Sequence, residues 1–114
     1  MRISDYTFGK ITIDGKTYHS DVIISSNTVK DNWWRKQGHN LAIEDLQDIL
    51  KADPEILIIG SGYYGRMQVP VAIRDYLNGK GIQIEVAETT EAVKRFNHLQ
   101  KECARLVAAL HLTC

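Results

Sequence analysis

Three stretches of this sequence carry residues whose types and spacing could do chemistry. The first is Gly60-Ser61-Gly62-Tyr63-Tyr64-Gly65, a G-x-G-x-x-G pattern that follows the apolar run Glu55 to Ile59. Glycines at that spacing let backbone N–H groups approach a phosphate, and a carboxylate about 25 residues on, here Glu85 or Glu88, would hold a ribose hydroxyl in a dinucleotide site. In such a site the helix begins inside the motif, so that its N-terminus faces the pyrophosphate. Here Arg66, Met67, Gln68 and Val69 intervene before Pro70, the residue suited to open a helix. NAD and FAD are therefore expected to bind no better than phosphate or sulfate. A dinucleotide, another small anion, or a plain tight turn that lets backbone pack closely all remain readings of this loop.

The second stretch is Trp33-Trp34-Arg35-Lys36 with His39. Cations beside indole faces can clamp an anionic ligand or anchor a partner. The alternative is that one Trp plugs the edge of the core while Arg35 and Lys36 are solvated. The third stretch is His111-Leu112-Thr113-Cys114, where strand alternation would put His111 and Cys114 on opposite faces, against a Cys-His nucleophile pair. Cys114 is expected to behave as an ordinary thiol. No H-E-x-x-H, G-x-S-x-G or G-x-x-x-x-G-K-[ST] element occurs. The ligand-binding candidates are thus Gly60, Ser61, Gly62, Gly65, Arg35, Lys36 and His39, with no catalytic residue, no metal ligand and no cofactor expected.

These residues must be positioned by the elements around them. Tyr6 to Ile13 reads as a strand whose apolar phase shifts at Gly9, as at a bulge. Asp14-Gly15 supplies a hairpin turn, Lys16 to Tyr18 returns antiparallel, and Asp21 to Ile24 adds another short strand. Ser25 to Asn40 has no apolar period and reads as a long irregular connection. From Ile43 a helical face is formed by Ile43, Leu46, Ile49 and Leu50, with Glu44, Asp45, Gln47 and Asp48 outward, and Pro54 stops it. The second half reads βαβαβ: strands at Glu55 to Ile59, Ile82 to Ala87 and Leu106 to Leu112, a helix opened by Pro70 and ended by Gly79 and Gly81, and another capped by Thr89 or Thr90. Right-handed crossovers then give three neighbouring parallel, central strands, joined to the antiparallel N-terminal unit in one mixed sheet with covering helices. The fold class is three-layer α/β.

At 114 residues, with 44% hydrophobic and 25% charged side chains, the chain suits one domain spanning residues 1–114. Fourteen basic residues balance fourteen acidic ones, which disfavours nucleic acid and anionic membrane as partners. Met1 to Gly9 lacks the apolar core of a signal peptide, and no run is long enough to span a bilayer. Two cysteines, Cys103 and Cys114, make no disulfide framework, so a cytoplasmic location is expected.

Several stretches together carry a family resemblance: F-G-x-I-x-I-D-G-K-x-Y from Phe8, W-W-R-K-x-G-H-x-L from Trp33, P-E-x-L-I-I-G-S-G from Pro54, T-x-E-A-V-x-x-F-N from Thr89 and A-A-L-H-L-T-C from Ala108. They resemble an uncharacterised α/β domain family of archaea, bacteria and mitochondria, whose eukaryotic relatives include a complex I assembly factor and an adipogenesis-associated Mth-domain protein. Glu102-Cys103-Ala104-Arg105 departs from it, since relatives often place Gly or a run of Arg there. The resemblance implies a central mixed sheet flanked by helices and no established catalytic residue. The leading expectation is a non-catalytic domain that contacts a protein partner in assembly or scaffolding. Its rival is a small-molecule or anion binder, or an enzyme, that uses the Gly60 to Gly65 loop.

Overall fold

The computed structural model describes residues 1–25 and 27–114. The N-terminal strands β1 (Ile3–Thr7), β2 (Lys10–Ile13) and β3 (Lys16–Tyr18) form a three-stranded antiparallel sheet of their own. Asp14 and Gly15, at φ of 49° and 82°, make the tight turn their sequence predicts. The phase shift at Gly9 is a chain reversal rather than a bulge: Thr7 pairs with Lys10, leaving Phe8 and Gly9 as a two-residue loop. A change of apolar register is common to both geometries. The irregularity in this ladder lies instead between Ile3 and Asp5.

The second sheet is mixed, in the order β5-β4-β8-β6-β7, with β4 at Val22–Ser25, β5 at Thr28–Lys30, β6 at Ile56–Ser61, β7 at Gln83–Ala87 and β8 at Leu106–His111. Strands β8, β6 and β7 run parallel, and β4 lies antiparallel to β8. Two expectations are corrected here. Among the described residues only β4 and β5 bring the N-terminal region into the mixed sheet, and β7 is an edge strand, not a central one. The residues of β7 are mostly half-buried whereas β8 is buried throughout, which is the difference between a paired edge and a strand covered on every side. β5 also supplies regular structure within the stretch read as irregular; Ser26 of that stretch lies outside the described residues.

Alternation along the central strands divides the core in two. Ile58, Ala108 and Leu110 face one side with Ile3, Ile11, Ile13, Phe96 and Leu99, so the small sheet and α3 (Thr89–Leu99) cover that face. Leu57, Ile59, Val107 and Ala109 face the other, against Trp33, Leu46, Ile49, Ile73 and Leu77 from α1 (Gln47–Lys51), α2 (Val71–Gly79) and the loop before them. The result is the three-layer α/β arrangement. The Asn97 side chain of α3 ties the small sheet in place by accepting from the Ile3 N–H at 3.0 Å and donating to its carbonyl at 2.7 Å.

Helix ends depart from the pattern where a side chain has a more specific task. Ile43–Leu46 is a 3-10 turn leading into α1, with Ile43 exposed and Asp45 buried, the reverse of the expected face. The Asp45 carboxylate is turned inward because it accepts from the backbone N–H groups of Ala42 at 2.9 Å and Lys36 at 3.0 Å. At α3 the cap position falls on Glu88, and Thr89 does not cap. Its hydroxyl instead accepts from Gly62 N–H at 2.9 Å and donates to the His111 carbonyl at 2.6 Å, joining three chain segments inside the protein.

Candidate functional site

The candidate residues, Lys36 excepted, lie about the carboxyl ends of β6 and β8. Gly60 and Ser61 are the last residues of β6. A Cβ on Gly60 would lie 2.8 Å from Thr89 Oγ1 and 2.9 Å from Leu110, so the glycine permits close packing of α3 on the sheet. The Ser61 hydroxyl donates to the Ala87 carbonyl at 3.1 Å. Beyond it the loop's donors are met from within the chain: Tyr63 N–H by the Thr113 carbonyl at 2.6 Å, Gly65 N–H by Gly62 at 3.2 Å, Arg66 N–H by the Cys114 backbone oxygen at 3.0 Å and Met67 N–H by Ser61 at 2.9 Å. Backbone oxygens of Thr113 and Cys114 thus occupy the position where a glycine loop would hold an anion's oxygens. Glu85 is engaged by Arg95 at 2.7 Å, and Glu88 packs against Gly65.

Arg35 does not point into that loop. It is 8% exposed, stacked with its guanidinium 4.8 Å from the Trp33 ring centre, and bonded through Nε to the Gly38 carbonyl at 3.2 Å. Its Nη2 donates to Asp21 Oδ2 at 2.8 Å and stands 2.9 Å from His111 Nδ1. His111, 5% exposed, also reaches Asp21 Oδ2 at 2.8 Å, and the Leu112 N–H donates to Asp21 Oδ1 at 2.7 Å. Burial alone would raise the Asp21 carboxyl, but the bonds from His111, Leu112 N–H and Arg35 outweigh it and hold the carboxyl below the ordinary carboxylate range. Trp33 is the indole that plugs the core, with its Nε1 donating to the Asp45 carbonyl at 3.1 Å. Trp34 is 75% exposed. Of the two cations Arg35 and Lys36, only Lys36 is solvated, its ammonium 3.8 Å from Glu44; Arg35 is buried because the half-buried Asp21 offers it a counter-charge.

His39 is exposed, and its ring lies edge-on to His111 with centroids 5.9 Å apart. The structure therefore brings Arg35 and His39 to His111, and leaves Lys36 outside. Asp21 is the residue that sequence reading missed. Its one signal is a carboxylate standing directly before the buried run Val22 to Ile24, while its partners lie 14 and 90 residues away.

An Asp-His pair suggests orientation of a general base, but a base needs a nucleophile within hydrogen-bond reach. His111 Nε2 is buried and has no hydrogen-bond partner among the described residues. Cys103 is half-buried, and burial together with the nearby Glu55 carboxylate pushes its thiol up, away from the reactive thiolate. Among the described residues no group of three or more His, Cys, Asp or Glu side chains could hold a metal ion. No described helix is long and apolar enough to cross a membrane.

The same loop also carries an exposed aromatic cluster. Tyr63 and Tyr64 meet at 5.1 Å, Phe8 from the β1–β2 turn meets them at 5.9 and 6.0 Å, and Tyr6 lies 6.2 Å from Tyr63. The Arg66 guanidinium stands 5.9 Å from the Tyr64 ring centre.

Among solved structures, the chain is similar to the conserved hypothetical protein PH1505 of Pyrococcus horikoshii, at 26% identity and TM-score 0.87 with all of both chains covered. It is similar to MT938 at 29% identity and TM-score 0.80, covering 99% of this chain and 98% of that one. A Mth938-like domain from Bordetella pertussis shares the fold at 18% identity and TM-score 0.67, covering 97% and 85%. Residues 3–111 match the family described as a protein of unknown function (DUF498/DUF598), and the chain belongs to that family.

Proposed function

We propose that this domain acts by protein contact, holding a partner as an assembly or scaffolding module and not by turning over a substrate. The exposed cluster of Phe8, Tyr63 and Tyr64 carries this reading, with Tyr64 60% exposed. Packed rings lose little conformational entropy on docking and bury a large area, and aromatic residues beside an arginine are the composition of interface hot spots. Arg66 at the margin favours a partner that presents an apolar pocket with an acidic rim. The proposal extends to the assembly role that the sequence resemblance implies and to a cytoplasmic location.

The rival reading, an anion held by the Gly60 to Gly65 loop, has less support because the loop's donors at Tyr63, Gly65 and Arg66 are already bonded. Cross-linking and affinity capture with the wild type, a Phe8→Ser/Tyr64→Ser variant and a Val71→Ser control on an exposed residue of α2 test the proposal. The expected result is a partner lost with the aromatic variant and retained with the control. A partner set identical across all three proteins would overturn it.

A further inference from the structure

Among the described residues four strands have an open side, β1 and β3 of the small sheet and β5 and β7 of the mixed one. Open sides invite pairing with other chains, and folded domains blunt them with charge, brevity or irregularity. Three of these are blunted. The Asn97 amide exchanges two bonds with Ile3 on β1, as an antiparallel neighbour would, and the register of that strand shifts between Ile3 and Asp5. β3 and β5 are three residues each and carry Lys16 and Lys30. β7 is different. It is five residues long, pairs with β6 without a shift from Gln83 to Ala87, and holds neither lysine nor proline. Its one charge, Glu85, is met by Arg95 through Nε at 2.7 Å and Nη2 at 3.3 Å, so it guards the edge weakly.

The outward groups of β7 form a self-complementary pattern. Gln83 N–H donates to the Glu55 carbonyl at 3.0 Å and the Ala87 carbonyl accepts from Ser61, so residues 83, 85 and 87 direct their backbone toward β6. Alternation turns the N–H and C=O of Ile84 and Val86 outward, where water satisfies them in the free domain. We propose that β7 pairs antiparallel with β7 of a second copy of this chain, about a two-fold axis at Glu85. Ile84 of each copy then exchanges both backbone bonds with Val86 of the other, and Glu85 faces Glu85 at the non-hydrogen-bonded position. An axis shifted by one residue would set Ile84 or Val86 against residue 88 or 82, outside the strand. The side chains agree with the backbone. Ile84 and Val86 lie on the face packed with Leu77 and Ile82, so their pairing continues that apolar cluster across the axis. On the opposite face each Glu85 arrives with its own Arg95, which offsets the repulsion of two bare carboxylates. The edge shares no residue with the aromatic cluster, and neither proposal depends on the other.

Sedimentation velocity at protein concentrations up to about 1 mM, with disulfide trapping under mild oxidation, tests the pairing. A dimer is expected. Glu85→Cys should cross-link copy to copy through residue 85, because side chains are closest at a non-hydrogen-bonded pair; Gln83→Cys should not, because its neighbour across the axis is Ala87. Wild type oxidised alongside gives the background from Cys103 and Cys114, and peptide mass spectrometry identifies which cysteines are joined. Val86→Pro removes an outward N–H and no bond to β6, and should weaken the dimer by at least about tenfold. Should Val86→Pro not fold, Glu85→Lys gives the same loss by setting like charges together at the axis. A monomer at every concentration, a dimer that neither variant weakens, or Gln83→Cys trapping as fully as Glu85→Cys would overturn the proposal. So would a dimer abolished by Phe8→Ser/Tyr64→Ser and untouched by Val86→Pro, which would assign the contact to the aromatic cluster.

Discussion

Replacing Gly62 by alanine should dislodge the Thr113–Cys114 segment from the loop after β6. The new Cβ would stand 2.5 Å from the Cys114 carbonyl carbon and 2.6 Å from the oxygens of both Thr113 and Cys114, at a φ of 110°. All three obstacles are backbone atoms, so no side chain can rotate away. Relief requires the segment to retreat by about 1 Å, which stretches the bonds from Tyr63 N–H, now 2.6 Å, and Arg66 N–H, now 3.0 Å. Two backbone hydrogen bonds at about 1 kcal/mol each, with roughly 1–3 kcal/mol of backbone strain, give a loss of about 3–5 kcal/mol. Domains of this size have about 6–17 kcal/mol in total, so the variant should still fold. Gly15→Ala is the internal control: φ is 82° there, but nothing among the described residues lies within 4 Å of the new Cβ, and about 1 kcal/mol of strain is expected. Urea denaturation at constant m-value measures both, and hydrogen exchange at the Tyr63 and Arg66 amides locates the damage. A Gly62→Ala protein no less stable than Gly15→Ala, with those amides still protected, would refute the reasoning.

The buried polar groups give three further expectations. Because the native Asp21 carboxyl is held below its ordinary value, its stabilisation is complete above the unfolded value of about 3.9 and fades as pH falls through the lowered native one; Asp21→Asn should flatten that acid limb in urea midpoints and cost about 3–5 kcal/mol at neutral pH by leaving Arg35 uncompensated. Thr89→Val keeps the shape but orphans Gly62 N–H and the His111 carbonyl, for about 2–4 kcal/mol by the same assay. Burial pushes the Tyr6 hydroxyl up to about 12, so its share of stability holds below the unfolded value of about 10 and is lost as pH rises through about 12; Tyr6→Phe should remove that alkaline limb, read by near-ultraviolet absorbance and urea midpoint together.

What local pattern encodes was legible in the residues. The continuous apolar runs at Glu55 to Ile59 and Leu106 to Leu112 specified buried parallel strands, and Asp14-Gly15 specified its turn. Strand order was less legible, although a signal was there: in Ile82 to Ala87 the polar Gln83 and Glu85 alternate with apolar residues, the pattern of a strand with an open face, and β7 lies at the edge outside β6. The site escaped for a different reason. Spacing rules recognise residues that act from one segment, whereas Asp21, Arg35 and His111 meet across three. Nor does the glycine pattern reveal that its own chain fills it, because Gly62 and Cys114 are neighbours only once β6 and β8 lie side by side.

The central place of β8 has a consequence for how the protein is made. Among the described residues the pair β5-β4 and the pair β6-β7 share no ladder with each other, and β8 joins them. A chain growing from its N-terminus therefore emerges with Val22 to Ile24 and Leu57 to Ile59 already synthesised, each lacking the neighbour that will cover one edge, until Leu106 to His111 arrives to fill the gap between them. Ile3 waits in the same way for the amide of Asn97, 94 residues later. Such long-range closure makes folding late and nearly all-or-none, and it exposes apolar strand edges throughout translation. Until β8 is made, the nascent chain should thus depend on a chaperone that shields strand edges far more than the stability of the finished domain would suggest.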